Sequence, residues 1–179
     1  MENQQNITLK PLQDEDILLF EKWLKQEYIY KWFCRDGDDS TDNTIAEEGL
    51  QDWLTQVKGR HTTHQHCHHF IVDLNGEKIG FCLYFDLFHE QDYLREMYPD
   101  LVETLQENHT YELGYLIGNP DYLGQGIGRM IIKKLEEQVG KLGGSRVIAD
   151  PNEKNIPSIK VLLANGFTKF KDCDYRKNI

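Results

Sequence analysis

The segment Leu123-Gly124-Gln125-Gly126-Ile127-Gly128-Arg129 constrains this chain more than any other, because it follows a strand-like run and opens a helix-like one. Glycines at alternate positions allow a tight reversal. They also leave backbone N–H groups unshielded at a helix N-terminus, where the helix dipole favours an anionic phosphate. A glycine triplet serves an ordinary turn equally well, so the neighbouring segments decide between the two readings.

Those neighbours alternate in character. Ile7 to Lys10 reads as a strand, and Ile17, Phe20, Trp23 and Leu24 recur at helical spacing after the capping residues Asp14 to Asp16. Tyr28 to Phe33 is a dense aromatic patch, followed by an acidic loop with Asp36, Asp38, Asp39 and Asp42. A helix starting near Asn43 or Thr44 carries Ala46, Leu50, Trp53, Leu54 and Val57 on one face. After a polar, histidine-rich stretch, a strand begins at Phe70, Asn75-Gly76 makes a hairpin turn, and Lys78 to Asp86 returns.

Leu87 to His109 has no clear period, and Pro99 interrupts it; it is a candidate cover for a binding site or part of a homodimer contact. Thr110 to Ile117 reads as a strand and Ile127 to Leu142 as a helix with Met130, Ile131, Leu135 and Val139 inward. Arg146 to Ala149 is a short strand, Ile156 to Asn165 a helix capped by Gly166, and Phe167 to Lys171 a strand. The order predicts an α/β fold, with a mixed central β-sheet flanked by helices. Its 179 residues suit a single domain spanning 1–179.

Charge and composition narrow the partners. A formal charge of -10 argues against nucleic acid, whose phosphates reward clustered Lys and Arg, and favours a cationic small molecule. No apolar run is long enough to span a bilayer, and the N-terminus lacks the pattern of a secretory signal, so no membrane partner and a cytoplasmic location are expected. Cys34, Cys67, Cys82 and Cys173 are widely spaced, consistent with free thiols. The run His61, His64, His66, Cys67, His68, His69 contains good zinc ligands, but its spacing matches no closed structural site, so no metal is expected.

Taken with its spacing, the pattern resembles the GNAT N-acetyltransferase family. The resemblance rests on the glycine run, the preceding Glu112-Leu113-Gly114-Tyr115, and the helix from Asn155 through Ser158 to Gly166-Phe167. It is most similar to the aminoglycoside 6'-N-acetyltransferases, on Trp23-Leu24 with Trp32-Phe33, Asn75-Gly76-Glu77 with Ile79-Gly80, Leu123-Gly124, and Asp150-Pro151 with Asn155. The resemblance implies a GNAT-like fold, acetyl-CoA as co-substrate and direct transfer to a primary amine, with a polyamine, siderophore precursor or peptide amine as other acceptors. A non-catalytic acyl-CoA sensor is a reading of another class. Leu162 stands where many members carry a tyrosine that protonates the departing thiolate.

Site residues follow from the resemblance and from chemistry together. Gly124, Gln125, Gly126, Ile127, Gly128 and Arg129 are expected to hold the cofactor's pyrophosphate. Leu116, Ile117 and Gly118 are placed along the thioester, one of their N–H groups serving as oxyanion donor; Asn155 and Ser158 are further cofactor contacts. Amine acetylation needs a proton acceptor, for which Asp150, at the C-terminal end of a strand, and Glu112 are the candidates. Glu112 is also readable as a solvated or ion-paired carboxylate, Asp150 as a turn or helix cap, and Asn155 as a cap. Trp32, Phe33, Asp36 and Asp150 are the expected substrate-binding residues, with core packing as the alternative for the aromatic pair.

Overall fold

A computed structural model describes residues 6–35, 37 and 43–179. Seven strands form one sheet in the order β1-β2-β3-β4-β5-β7-β6. The strands are β1 (Ile7–Pro11), β2 (Cys67–Leu74), β3 (Glu77–Asp86), β4 (Thr110–Ile117), β5 (Arg146–Ala149), β6 (Thr168–Lys171) and β7 (Asp174–Asn178). The first four pair antiparallel, β4 and β5 are parallel, and β5, β7 and β6 are again antiparallel. Asn75 and Gly76 both take positive φ, as the β2–β3 hairpin turn requires.

Strand alternation sorts the side chains into two layers. Tyr111 and Leu113 of β4 and Val147 and Ala149 of β5 face α5 (Ile127–Lys141) and α6 (Ile156–Ala164), in one cluster with Ile131, Leu135, Val139 and Leu162. The opposite face packs under α1 (Ile17–Leu24), α2 (Glu27–Phe33) and α3 (Asn43–Lys58), through Phe20, Trp23, Leu54, Ile71, Phe81 and Leu83. At the β5 end of that face, α4 (Gln91–Met97) follows a 3-10 turn (Leu87–His89), and Leu87, Leu94, Tyr98 and Leu101 close over Ile148.

Several boundaries differ from the sequence reading. Strand β2 begins at Cys67 rather than Phe70, because Cys67 and His69 point into the protein while His68 points out, so polar residues continue the alternation. The stretch from Leu87 to His109 contains α4, whose short apolar face of Leu94 and the following Tyr98 and Leu101 was too sparse to reveal a period. Strand β7, inserted between β5 and β6, is Asp-Tyr-Arg-Lys-Asn and carries no apolar run.

One departure from regular pairing positions the site. β4 and β5 pair only from Thr110↔Arg146 to Glu112↔Ile148, whereas β4 continues to Ile117 paired with β3 alone. The His109 carbonyl accepts from Arg146 N–H on the β5 side, and Gly118 N–H donates to Ile79 O on the β3 side. Alternation therefore turns the backbone polar groups of Leu113, Tyr115 and Ile117 toward the gap left by β5.

Candidate active site

The glycine turn is anchored from below. Asn119 Nδ2 and Tyr122 Oη donate to the two carboxylate oxygens of Glu77, at 2.8 Å and 2.6 Å, and Gln125 Nε2 donates to Asp121 O. Gly124 and Gly126 take φ of +73° and +78°, and a Cβ at either would meet nothing within 4 Å. These glycines are required by backbone conformation, not by crowding. Gly126 offers no side chain to cap α5, so the first-turn N–H groups lie open at the positive end of the helix. Arg129 is exposed in this turn, with no ion pair among the described residues.

Across the sheet, Glu112 sits on the face opposite Tyr111 and Leu113, 7% exposed. It is hydrogen-bonded to Asp150, the residue that follows β5. Tyr98 donates to Glu112 Oε2 at 3.1 Å. Tyr93 Oη lies 3.0 Å from both Glu112 Oε1 and Asp150 Oδ2, bridging the two carboxyl groups. Both tyrosines come from the α4 segment, and the Tyr93 ring also stands edge-on to Phe85.

Burial, and then the neighbouring Asp150, push the Glu112 carboxyl well above its ordinary range. Two adjacent carboxyl groups resist both being charged, which favours a proton shared by the pair. Burial also raises the Tyr93 and Tyr98 phenols far above their usual value, so both keep their protons. A phenol carries a single hydrogen, so Tyr93 donates to one of the two carboxyl groups at a time. Glu112 is therefore a buried carboxyl group held by two phenols, not a solvated one, and Asp150 joins the cluster through Tyr93.

A cavity of about 200 Å³ opens beside Asp150, between the end of α4 and the β6–β7 turn. Glu96, Asp150, Asp172 and Asp174 line it, against the single cation Lys171. Asp174 is answered by Arg176, 2.6 Å away, which also binds Asp100 through both terminal nitrogens. The remaining acidic lining suits a positively charged guest.

The other expected residues have distinct placements. Gly118 N–H is donated to Ile79, and a Cβ on Gly118 would fall 2.2 Å from the Trp23 ring, so this glycine admits α1 to the sheet and offers no oxyanion donor. Leu116 is buried under α1–α3, with its backbone turned to β3. Ile117 faces the gap, and its carbonyl accepts from Tyr28 Oη at 2.7 Å. Asn155 Oδ1 accepts from Ser158 N–H and so caps α6, while Ser158 hydrogen-bonds Tyr115, whose hydroxyl lies beneath Gly128. Burial pushes that phenol up to about 12.

Trp32 approaches Asn152 across Gly37, the two side chains lying 3.0 Å and 2.8 Å from the position of a Gly37 Cβ. Phe33 instead stacks toward Trp53, whose indole N–H donates to Phe33 O, so the ring serves the packing of α2 on α3. Asp36 lies outside the described residues. Leu162 is buried between α5 and α6.

The chain matches the acetyltransferase (GNAT) domain family over residues 6–168. It belongs to the GNAT acetyltransferase family. This GNAT domain is accordingly an acetyl-CoA-dependent N-acetyltransferase. Its fold is similar to that of the aminoglycoside acetyltransferase AAC(6')-Ib in complex with coenzyme A, with a TM-score of 0.73 at 19% identity over 97% of this chain and 95% of that one. It is also similar to an aminoglycoside N(6')acetyltransferase from Legionella pneumophila (TM-score 0.67, 18% identity, 99% and 94% covered). A domain from Methanocaldococcus jannaschii aligns with a TM-score of 0.69 at 22% identity, over 98% and 100% of the two chains. Among the described residues, no helix is long and apolar enough to cross a membrane.

Sequence reasoning missed Tyr93 and Tyr98, which bind the acidic pair from a segment with no readable period. It named the histidine-rich run as a source of zinc ligands but missed Glu90, which joins it from the N-cap of α4. His64, His66, Cys67 and Glu90 bring ligand atoms within 4.8 Å of one another, on the same face of the sheet as Glu112.

Proposed function

We propose that this GNAT domain transfers the acetyl group of acetyl-CoA to a primary amine of a cationic small molecule, the 6'-amine of an aminoglycoside, with Asp150 as the proton acceptor. The observation that carries the reading is the pairing of buried Glu112 with half-buried Asp150, bridged by Tyr93 beside the point where β4 and β5 part. The acidic cavity next to Asp150 supports a cationic acceptor, as do the aminoglycoside acetyltransferases among the similar folds. At about 200 Å³ it is smaller than the roughly 300 Å³ of whole-ligand pockets, and so takes one aminated end of a substrate.

In this reading the N–H groups from Gly124 to Arg129 hold the pyrophosphate. The pantetheine arm lies along the open edge of β4, with Ile117 N–H as the oxyanion donor and Ser158 beside Tyr115 at the cofactor's flank. The pair holds one proton and one negative charge, which binds the substrate ammonium. Asp150 takes one proton from that ammonium, and the freed lone pair attacks the thioester carbonyl. As the C–S bond breaks, the second N–H proton passes to the thiolate, and Asp150 returns its proton to solvent. This route asks no proton of position 162, where the chain has leucine. The buried thiols Cys34, Cys67 and Cys82 suit a reducing, cytoplasmic setting.

A thiol-release assay with acetyl-CoA and an amine panel tests the reading. Release with aminoglycosides bearing a 6'-amine, and none with their 6'-hydroxyl analogues, is the expected result. Release only with spermidine, lysine derivatives or short peptides would move the acceptor to another amine. No release despite acetyl-CoA binding would support a sensor.

A further inference from the structure

The histidine-rich stretch before β2 is left without a role by acetyl transfer, yet it folds with its donor atoms converged. Cys67 N–H donates to His64 O at 3.0 Å, closing a turn that brings His64, His66 and the Cys67 thiol to one side. Glu90, the N-cap residue of α4, completes the group from a distant part of the chain, its Oε1 2.6 Å from His66 Nε2. All the ligand atoms lie within 4.8 Å of one another. A tetrahedral zinc ion with bonds of ~2.0–2.3 Å separates its ligand atoms by roughly 3.3–3.8 Å, so side-chain adjustments of about an ångström close the site.

From this convergence we infer that His64, His66, Cys67 and Glu90 form a structural zinc site that fastens α4 to β2. One thiolate, two imidazoles and one carboxylate match the borderline softness of Zn²⁺. Four protein ligands leave no open position for substrate, which makes the site structural.

One further observation supports it. His64 Nδ1 is buried without a hydrogen-bond partner, an unfavourable state that coordination at this nitrogen would relieve. Of the four residues, Cys67 also lines a cavity of about 440 Å³, beside Pro11, His61 and His68.

The position of the site gives it a consequence. Cys67, Phe85 and Glu112 lie side by side across β2, β3 and β4, and α4 runs above that row with Glu90 near Cys67 and Tyr93 on Phe85 and Glu112. Fixing Glu90 therefore fixes the helix that supplies both tyrosines to the acidic pair.

The test uses full-length protein without a polyhistidine tag, loaded with Zn²⁺ or Co²⁺ and dialysed against metal-free buffer. Elemental analysis is expected to find about one equivalent of zinc per chain. The cobalt form is expected to show a thiolate-to-metal charge-transfer band in the near ultraviolet together with strong tetrahedral visible bands. Cys67→Ser abolishes the near-ultraviolet band, and Glu90→Gln, which leaves the buried thiol in place, weakens metal affinity by about 10-fold or more while circular dichroism confirms the fold. His61→Ala, outside the ligand set, leaves both readouts unchanged. Absence of bound metal in the wild type, or equal binding by wild type, Cys67→Ser and Glu90→Gln, would overturn the inference.

Discussion

The glycine turn at the head of α5 and the acidic pair beneath α4 are built by opposite means. The turn is exposed and contiguous, and it offers backbone groups that owe their direction to two left-handed glycines. The acidic pair joins a buried Glu112 to a half-buried Asp150, and it is assembled from β4, the end of β5 and α4 through the side-chain hydrogen bonds of Tyr93 and Tyr98. A phosphate is the same on every acetyl-CoA, so in the proposed reading backbone N–H groups suffice to hold it. An amine must be told from other amines and relieved of a proton, which needs titratable groups in a shielded, adjustable setting. Damage to one region should therefore be separable from damage to the other.

The sharpest separation is expected from Asp150→Asn. Turnover should fall by about 10²–10⁴-fold, the range of a lost general base, while acetyl-CoA affinity by calorimetry stays within about twofold. Parallel loss of both would break the comparison. Tyr93→Phe removes the bridge but keeps the ring on Phe85. It should cost about 1–3 kcal/mol of stability in denaturant titration, because the buried Glu112 and the half-buried Asp150 each lose a partner, and it should also slow turnover. Gly126→Ala meets no clash but forces a Cβ into a left-handed conformation. At about 1–2 kcal/mol of strain it should weaken acetyl-CoA binding by roughly 5–30-fold, with kcat preserved at saturating cofactor.

The acidic pair also predicts how stability depends on pH. Glu112 titrates above its ordinary 4.5 in the folded protein, so the native state holds a proton that the unfolded chain releases. That contribution is complete below about pH 4.5 and is lost as pH climbs through the folded-state value. The wild-type thermal midpoint should therefore decline toward alkaline pH more steeply than that of Glu112→Gln, which has no charge to bury. Identical slopes would mean that Glu112 is ionised in the native protein.

The two regions also differ in how far the sequence exposes them. Leu123 to Arg129 is legible because the turn and the helix dipole are local, and the Asn75-Gly76 hairpin is legible for the same reason. Glu112 and Asp150 are legible as candidates, one from strand alternation and one from its place at a strand end. Their pairing is not, since it depends on where β4 and β5 stop pairing and on what covers them. Tyr93, Tyr98 and Glu90 lie in a segment whose apolar residues are too few to fix a helical period, so neither the bridge nor the fourth member of the histidine cluster has a local signature. β7 escaped for a related reason, since only Tyr175 and the end residue Asp174 are buried. Conversely, Gly118 carries a family-like glycine for a packing reason, the approach of Trp23, that spacing alone cannot distinguish from a cofactor contact.

The most direct test of the central claim, that Asp150 collects the proton of a bound ammonium, is the pH dependence of kcat/KM for the amine at saturating acetyl-CoA. If Asp150 is the acceptor, the wild type is flat between the titration of the acidic pair and that of the free amine, and Asp150→Asn, able to use only neutral amine, rises about tenfold per pH unit across the same interval. A tenfold rise per unit in both proteins would contradict the claim, because the enzyme would then select the neutral amine and the pair would take no part in its deprotonation.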